Sequence, residues 1–458
     1  MSLEDGASQT RVEARPGALG GALLRRPAER PGRRSAARQE SLREHNLHVV
    51  LTLVLTADNP LSRADIAAAT GLTRGAVSTL VDRLIAARLV TELPPFREQN
   101  AGRPATPLVP ARGTVAAVGS EVNVDYVGVL ALDLAGDVLA RREVTGDFRG
   151  SDPATVLAQL AVLVAEVIRE LTVSPGPDGP PILVGMGLAL PGLVDRGAGS
   201  LLLAPNLGWR DVDVVALLEA HESLRSLPVR LGNEANLAAR AESHAEGGDR
   251  SFLYVSGEVG IGAAIVLRGE VFAGRHGWSG ELGHTVIDPD GPRCSCGATG
   301  CLEQYAGKHA LMRGAGLALA LPIEVLRTAA DAGEPGAVAA LVGGGRALGI
   351  AVANFVNLVD IDQIVLGGIY AQLEHHIAPV IMEQLRRRVL AAPWERAGVR
   401  AARAGHDAAM TGAALAVLST VIANPAAWMP LKVVAAPASE PGPPHPRGDE
   451  TGVVIETA

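Results

Sequence analysis

The chain has 458 residues, 48% of them hydrophobic and 3% aromatic, which excludes a wholly disordered protein and suffices for two or three domains with their own cores. A formal net charge of −8 excludes nucleic-acid binding through an evenly spread positive surface, so any DNA contact needs a local basic region. The longest apolar candidate for a membrane span is taken as Ala408 to Ala423, interrupted by Thr411, Gly412, Ser419 and Thr420, and the first 30 positions lack a secretory pattern. A cytoplasmic protein with no membrane partner is expected.

Residues 1–40 carry Arg11, Arg15, Arg25, Arg26, Arg30, Arg33, Arg34 and Arg38 without a hydrophobic period, and read as a disordered basic arm. The 41–110 segment reads as a winged helix-turn-helix. Leu47, Val50, Leu51, Val54 and Leu55 form the stripe of a first helix. Ser62, with Asp65 three residues on, starts a second that ends at Thr70-Gly71, and Thr73 caps a third whose stripe is Val77, Leu80, Val81, Leu84 and Ile85. The opposite face of that third helix carries Arg74, Gly75, Ser78, Thr79 and Arg83, short polar groups and arginines suited to a major groove. Leu89–Leu93 and Thr106–Val109 can pair as a wing whose Gly-Arg-Pro tip offers Arg103 to a minor groove. A small helical bundle with a polar dimerisation face is the alternative.

From Val115 the pattern becomes α/β. Strands are expected at Val115–Gly119, Tyr126–Leu132 and Val138–Val144 in a meander, followed by a helix over Ala154–Leu171 and a buried strand Ile182–Leu190. Further strands at Phe252–Val255, Ala263–Leu267 and Gln363–Leu366, with a helix near Arg346–Leu358, imply two lobes. From about Pro437 the chain is rich in Pro and Gly, and residues 437–458 read as a disordered tail.

All three cysteines lie within eight positions, which suits a metal better than a disulfide framework. His284, Cys294, Cys296 and Cys301 supply one imidazole and three thiolates, a closed tetrahedral shell for structural Zn2+ with no position left for catalytic water. The alternative is three buried free thiols beside an unrelated histidine.

Gly280-Glu-Leu-Gly-His284 followed by Cys294-Ser-Cys-Gly-Ala-Thr-Gly-Cys-Leu-Glu303 resembles the signature of the ROK family of bacterial repressors, open reading frames and sugar kinases, over about residues 41–425. The resemblance implies a two-lobed actin/hexokinase-like (ribonuclease H-like) domain over 115–425 behind the winged helix-turn-helix, as in regulators of xylose and N-acetylglucosamine genes. It also implies that Asn206, Asn233, Glu234, Glu281, His284 and Glu303 contact a sugar, with Gly192 allowing close backbone approach. His284 would serve both sugar and zinc.

Kinases of this family use Asp-x-Gly-Gly-Thr and Gly-Thr-Gly-Ile-Gly to bring backbone amides to ATP phosphates. Here these segments read Glu121-Val-Asn-Val-Asp125 and Glu258-Val-Gly-Ile-Gly262, which lose both glycines of the first loop and add carboxylates. The resulting expectation is a non-catalytic regulator, acting as a homodimer or higher oligomer on operator DNA and answering to a sugar or sugar phosphate. A sugar kinase with a DNA-binding appendage, or a regulator docking a phosphotransferase-type protein, are the alternatives.

Overall fold

The computed structural model describes residues 39–94, 106–173, 176, 179–392 and 397–428. The basic arm, the C-terminal tail and the wing tip with Arg103 lie outside the described residues. The described residues from Glu44 onward form one compact unit.

Helix α1 (Gln39–Thr56), strand β1 (Leu61–Ser62), helices α2 (Arg63–Thr70) and α3 (Arg74–Ala86), and strands β2 (Val90–Glu92) and β3 (Pro107–Pro110) make the winged helix-turn-helix. Helix α2 begins at a capping box. The Ser62 amide donates to Asp65 Oδ2 at 2.9 Å, and the Asp65 amide donates to Ser62 Oγ at 3.3 Å. It ends at Gly71, held at φ +70°. Thr73 Oγ1 accepts the Ala76 amide at the start of α3. The sequence missed β1, too short to leave a pattern, which pairs with β3 on the far side from β2.

Two five-stranded sheets follow, built on one plan. In the first lobe β4 (Val115–Val122), β5 (Tyr126–Asp133) and β6 (Val138–Thr145) form an antiparallel meander. Helix α4 (Pro153–Val173) leads to β7 (Ile182–Leu190), parallel to β4. A small sheet of β8 (Leu193–Asp195), β9 (Ser200–Ala204) and β10 (Trp209–Val212), with α5 (Val214–Glu219), precedes β11 (Val229–Asn233), parallel to β7, and helix α6 (Glu234–Ala245).

The second lobe repeats the meander with β12 (Phe252–Gly257), β13 (Ile261–Leu267) and β14 (Glu270–Phe272), then the short helices α7 (Glu303–Ala306), α8 (Lys308–Gly314) and α9 (Ile323–Asp331) and the long α10 (Pro335–Val359). Strand β15 (Gln363–Gly368) runs parallel to β12. After α11 (Ile369–Gln372) and α12 (Glu374–Arg388), β16 (Gly398–Ala401) runs parallel to β15, and α13 (Ala408–Ala423) closes the fold.

Helix α10 starts eleven residues before the expected Arg346. Three successive glycines precede Arg346, each costing about 1 kcal/mol in a helix, yet a Cβ on Gly344 would lie 2.4 Å from Leu311 of α8. Tight helix packing therefore compensates for poor propensity. At 25 residues α10, not Ala408–Ala423, is the longest apolar segment, and the only described helix long and apolar enough to cross a membrane. Its Leu341, Leu348 and Val352 are buried in the second lobe's core, which marks it as a core helix.

The winged helix does not keep a core to itself. Leu47, Leu51, Ile66, Val81 and Leu84 share one apolar cluster with Leu130 and Leu132 of β5 and with Met410, Val417 and Leu418 of α13. His48 Nδ1 donates to the Ile422 carbonyl at 2.7 Å in the last turn of α13. Leu418→Ala should therefore destabilise by about 2–5 kcal/mol and lower the melting of winged helix and lobe together. Two calorimetric transitions, only one of them shifted, would show that the cores are independent.

Candidate functional site

Seven residues singled out from sequence line one cavity of about 620 Å³, open mouth included: Gly192, Asn206, Asn233, Glu234, Glu281, His284 and Glu303. They arrive from separate elements. Gly192 is in the β7–β8 turn, Asn206 in the β9–β10 turn, and Asn233-Glu234 at the junction of β11 and α6. Glu281 precedes the 3-10 turn Leu282–His284, and Glu303 opens α7.

Two of these residues also have structural roles. Gly192 has φ +86°, and a Cβ there would lie 2.1 Å from the Leu203 carbonyl, so β9 already demands this glycine before any sugar does. Asn233 is the N-cap of α6. Its Oδ1 accepts the Asn236 amide at 3.1 Å and its Nδ2 donates to the Gly192 carbonyl at 3.1 Å, which ties the two sides of the cavity together.

Sequence reasoning assigned Gly260 only to a phosphate loop. In the structure a Cβ on Gly260 would lie 2.4 Å from Glu303 Oε2 and 2.6 Å from Asn206 Nδ2, so its bareness lets two polar groups meet the β12–β13 turn. Proximity of this kind has no sequence signal beyond the glycine itself.

Three of the carboxyls here, Glu234, Glu258 and Glu281, are raised above the ordinary range. Burial raises Glu234 well above it, reinforced by Glu121, Glu258, Glu281 and Glu303. Burial also raises Glu281, opposed by His284. Burial, Glu121 and Asp125 push Glu258 up to about 8, opposed by Lys308. Protonated carboxyls donate as well as accept, which suits a rim of hydroxyls.

Behind the cavity, His284 Nδ1 lies 3.8 Å from Cys294 Sγ, and Cys296 Sγ lies 3.7 Å from Cys301 Sγ. All four ligand atoms fall within 4.8 Å of one another. Two ligands of a tetrahedral zinc with bonds near 2.3 Å sit about 3.7 Å apart, so the cluster has the dimensions of such a shell. With Nδ1 turned to the sulfurs, the other ring nitrogen of His284 is left for the cavity it lines. Cys294 Sγ also lies 3.9 Å from Glu303 Oε1, a second link between cluster and cavity.

At the first phosphate-loop position, Asn123 Oδ1 accepts the Val124 amide at 2.6 Å, and Asn123 Nδ2 donates to Glu121 Oε1 at 3.1 Å. An amide that could have met phosphate is thus occupied by the side chain that replaced a glycine.

On α3, Arg74, Thr79 and Arg83 are exposed and Ser78 is half-buried, all away from the buried stripe. Arg63 of α2 was missed from sequence. It pairs with Asp82 at 2.7 Å and with Glu92 of β2 at 2.8 Å, fixing α3 against the wing and offsetting an acid on the exposed face.

A helix-turn-helix joined to a two-lobed, sugar-kinase-like domain defines the class. Residues 118–420 match the ROK family and residues 46–95 the MarR family, and the chain belongs to the ROK family. It is 28% identical to the xylose repressor of Bacillus subtilis over 79% of this chain and 91% of that protein. Among solved structures, a ROK family transcriptional regulator homologous to the E. coli MLC protein superposes with TM-score 0.69 at 28% identity, covering 83% of this chain and 97% of that one. The ROK hexokinase of Thermus thermophilus gives TM-score 0.54 at 31% identity, covering 67% of this chain and 99% of that one.

The raised carboxyls make a signed prediction. Glu258 keeps its proton in the folded chain up to about pH 8 but ionises in the unfolded chain above the ordinary value of 4.5, so the folded state binds more protons between these values and stability falls as pH rises through that window. Glu258→Gln should flatten the decline in melting temperature across it. An unchanged slope would mean that the carboxyl is ionised in the fold.

Proposed function

We propose that the chain is a sequence-specific DNA-binding transcription regulator, acting as a repressor, whose operator affinity is set by a sugar or sugar phosphate bound in the lobe cavity. The observation that carries this reading is the shared core. The helix that exposes Arg74, Thr79 and Arg83 belongs to a winged domain packed on β5 and α13, and α13 packs in turn on β4, β7 and α6, whose first residue Glu234 lines the cavity. A ligand that favours one lobe arrangement biases the DNA-binding domain through that packing, provided it binds the two states with different affinity.

In a homodimer, half-sites one helical turn apart, about 34–36 Å, make a small rotation enough to break register. Arg74, Ser78, Thr79 and Arg83 are assigned to the major groove, and Arg103 of the wing tip to the minor groove. Gly192, Asn206, Asn233, Glu234, Glu281, His284 and Glu303 are assigned to the sugar.

The metal cluster is assigned to structural Zn2+. His284 with Cys294, Cys296 and Cys301 would hold it, and it would supply a rigid support for the segment presenting Glu281 and His284. Catalysis is assigned as lost. Glu234 is one methylene longer than the aspartate of family kinases, and Asn123 occupies the Val124 amide that ATP phosphates would need.

The deciding experiment is binding of the full chain to its own upstream DNA, titrated with D-xylose, other sugars and sugar phosphates, with ATP turnover followed in parallel. Release by one sugar without turnover is expected. Turnover would make the chain a kinase, and sugar-insensitive binding would point to a docked protein as the signal. Arg74→Ala should weaken operator binding by about 1–3 kcal/mol while sugar affinity is unchanged, measured by fluorescence anisotropy and calorimetry. Cys296→Ser should lose zinc by elemental analysis and lower both thermal stability and sugar affinity. Full zinc and stability in that variant would refute the metal site.

A further inference from the structure

Beside the sugar cavity, and sharing Asn123, Glu234 and Glu258 with it, lies a larger cleft of about 1250 Å³, mouth included. It runs along the ends of β4 and β15 to the first residues of α13, with walls from both lobes. Its inner wall is acidic. Glu121 from β4, Glu234 from α6 and Glu258 from the β12–β13 turn all line it, with the rings of Tyr126 and Tyr254.

We propose that this cleft binds a small organic molecule through a primary ammonium group, held by Glu121, Glu234 and Glu258.

Glu121 is the strongest sign. It is 2% exposed, and its Oε2 makes no hydrogen bond of ordinary geometry, although the Tyr126 hydroxyl comes near. A buried carboxylate oxygen without a donor costs free energy that a bound cation would recover. The resident cations nearby are otherwise engaged: Arg149 and Lys308 both pair with Asp125, at 3.0 and 3.4 Å, and His406 turns its Nε2 to Glu143 at 3.3 Å. Burial raises the carboxyl of Glu121 above the ordinary range, and burial together with neighbouring acids, Glu121 among them, raises Glu234 and Glu258.

An ammonium can donate to the unpartnered Glu121 Oε2 and to a second carboxyl of the wall, and the aromatic rings of Tyr126 and Tyr254 add cation–π attraction. Ala408 and Ala409 of α13 line the same cleft, so its occupant would touch the helix whose other end holds His48 of the winged domain.

The test is isothermal titration of the full chain with putrescine, and separately with MgCl2, at constant ionic strength. Saturable putrescine binding at one site per chain is expected. It should weaken about tenfold or more in Glu121→Gln and in Glu258→Gln, while exposed Glu383→Gln leaves it unchanged. Should Glu121→Gln fail to fold by circular dichroism, Glu258→Gln decides. Binding of Mg2+ but not putrescine, binding of neither, or putrescine binding that survives both substitutions would overturn the proposal. None of these outcomes depends on whether a sugar releases DNA.

Discussion

The structure depends on the burial of α13. This helix returns from the end of the chain to pack against β4 and β7 of the first lobe and against α6, and it shares an apolar cluster with the winged helix-turn-helix. Its approach is close: the Met410 carbonyl would lie 1.9 Å from a Cβ on Gly119. Packing of interior density does not deform continuously, so a displacement of this helix must be shared by the groups on all its sides. A DNA-binding module and a ligand-binding module that could have been beads on a string are in this way mechanically one body from Glu44 onward.

The second constraint is electrostatic. One cleft brings Glu121, Glu234 and Glu258 together, with Asn123 occupying a backbone amide. Carboxyls can stand so close only by holding protons or by meeting a cation, and either choice disfavours an anionic nucleotide. By contrast, the buried Glu242 is fully compensated, with Arg400 at 2.7 Å and the amides of Arg403 and Ala404 at 2.7 and 2.9 Å. The same residue type thus acts as a structural anchor in one place and as an unmet demand in another.

The cysteine cluster is the local counterpart of α13. Its segment has little regular structure, a short 3-10 turn and isolated bridges such as Val286 with Cys301, so hydrophobic burial alone gives it little rigidity. His284 and the three sulfurs converge there, in the same segment that carries Glu281 and His284 into the cavity lining.

Much of this was legible in the sequence because it is local. Capping at Ser62 and Thr73, the stripes of α1 and α3, the strand Ile182–Leu190 and the spacing of His284 with the cysteines depend on neighbours within a few positions, and periodicity or ligand chemistry reveals them directly. What tertiary structure alone decided involves partners far apart in the chain. Gly344 lets α10 run through three glycines because Leu311 fills the space, Gly260 lines the first cavity because Asn206 and Glu303 converge on it, and Arg63 settles between Asp82 and Glu92. The joining of winged helix to lobe through His48 and Ile422, 374 positions apart, is of the same kind. No periodicity encodes such contacts, since they exist only once two surfaces of matching shape exclude water between them.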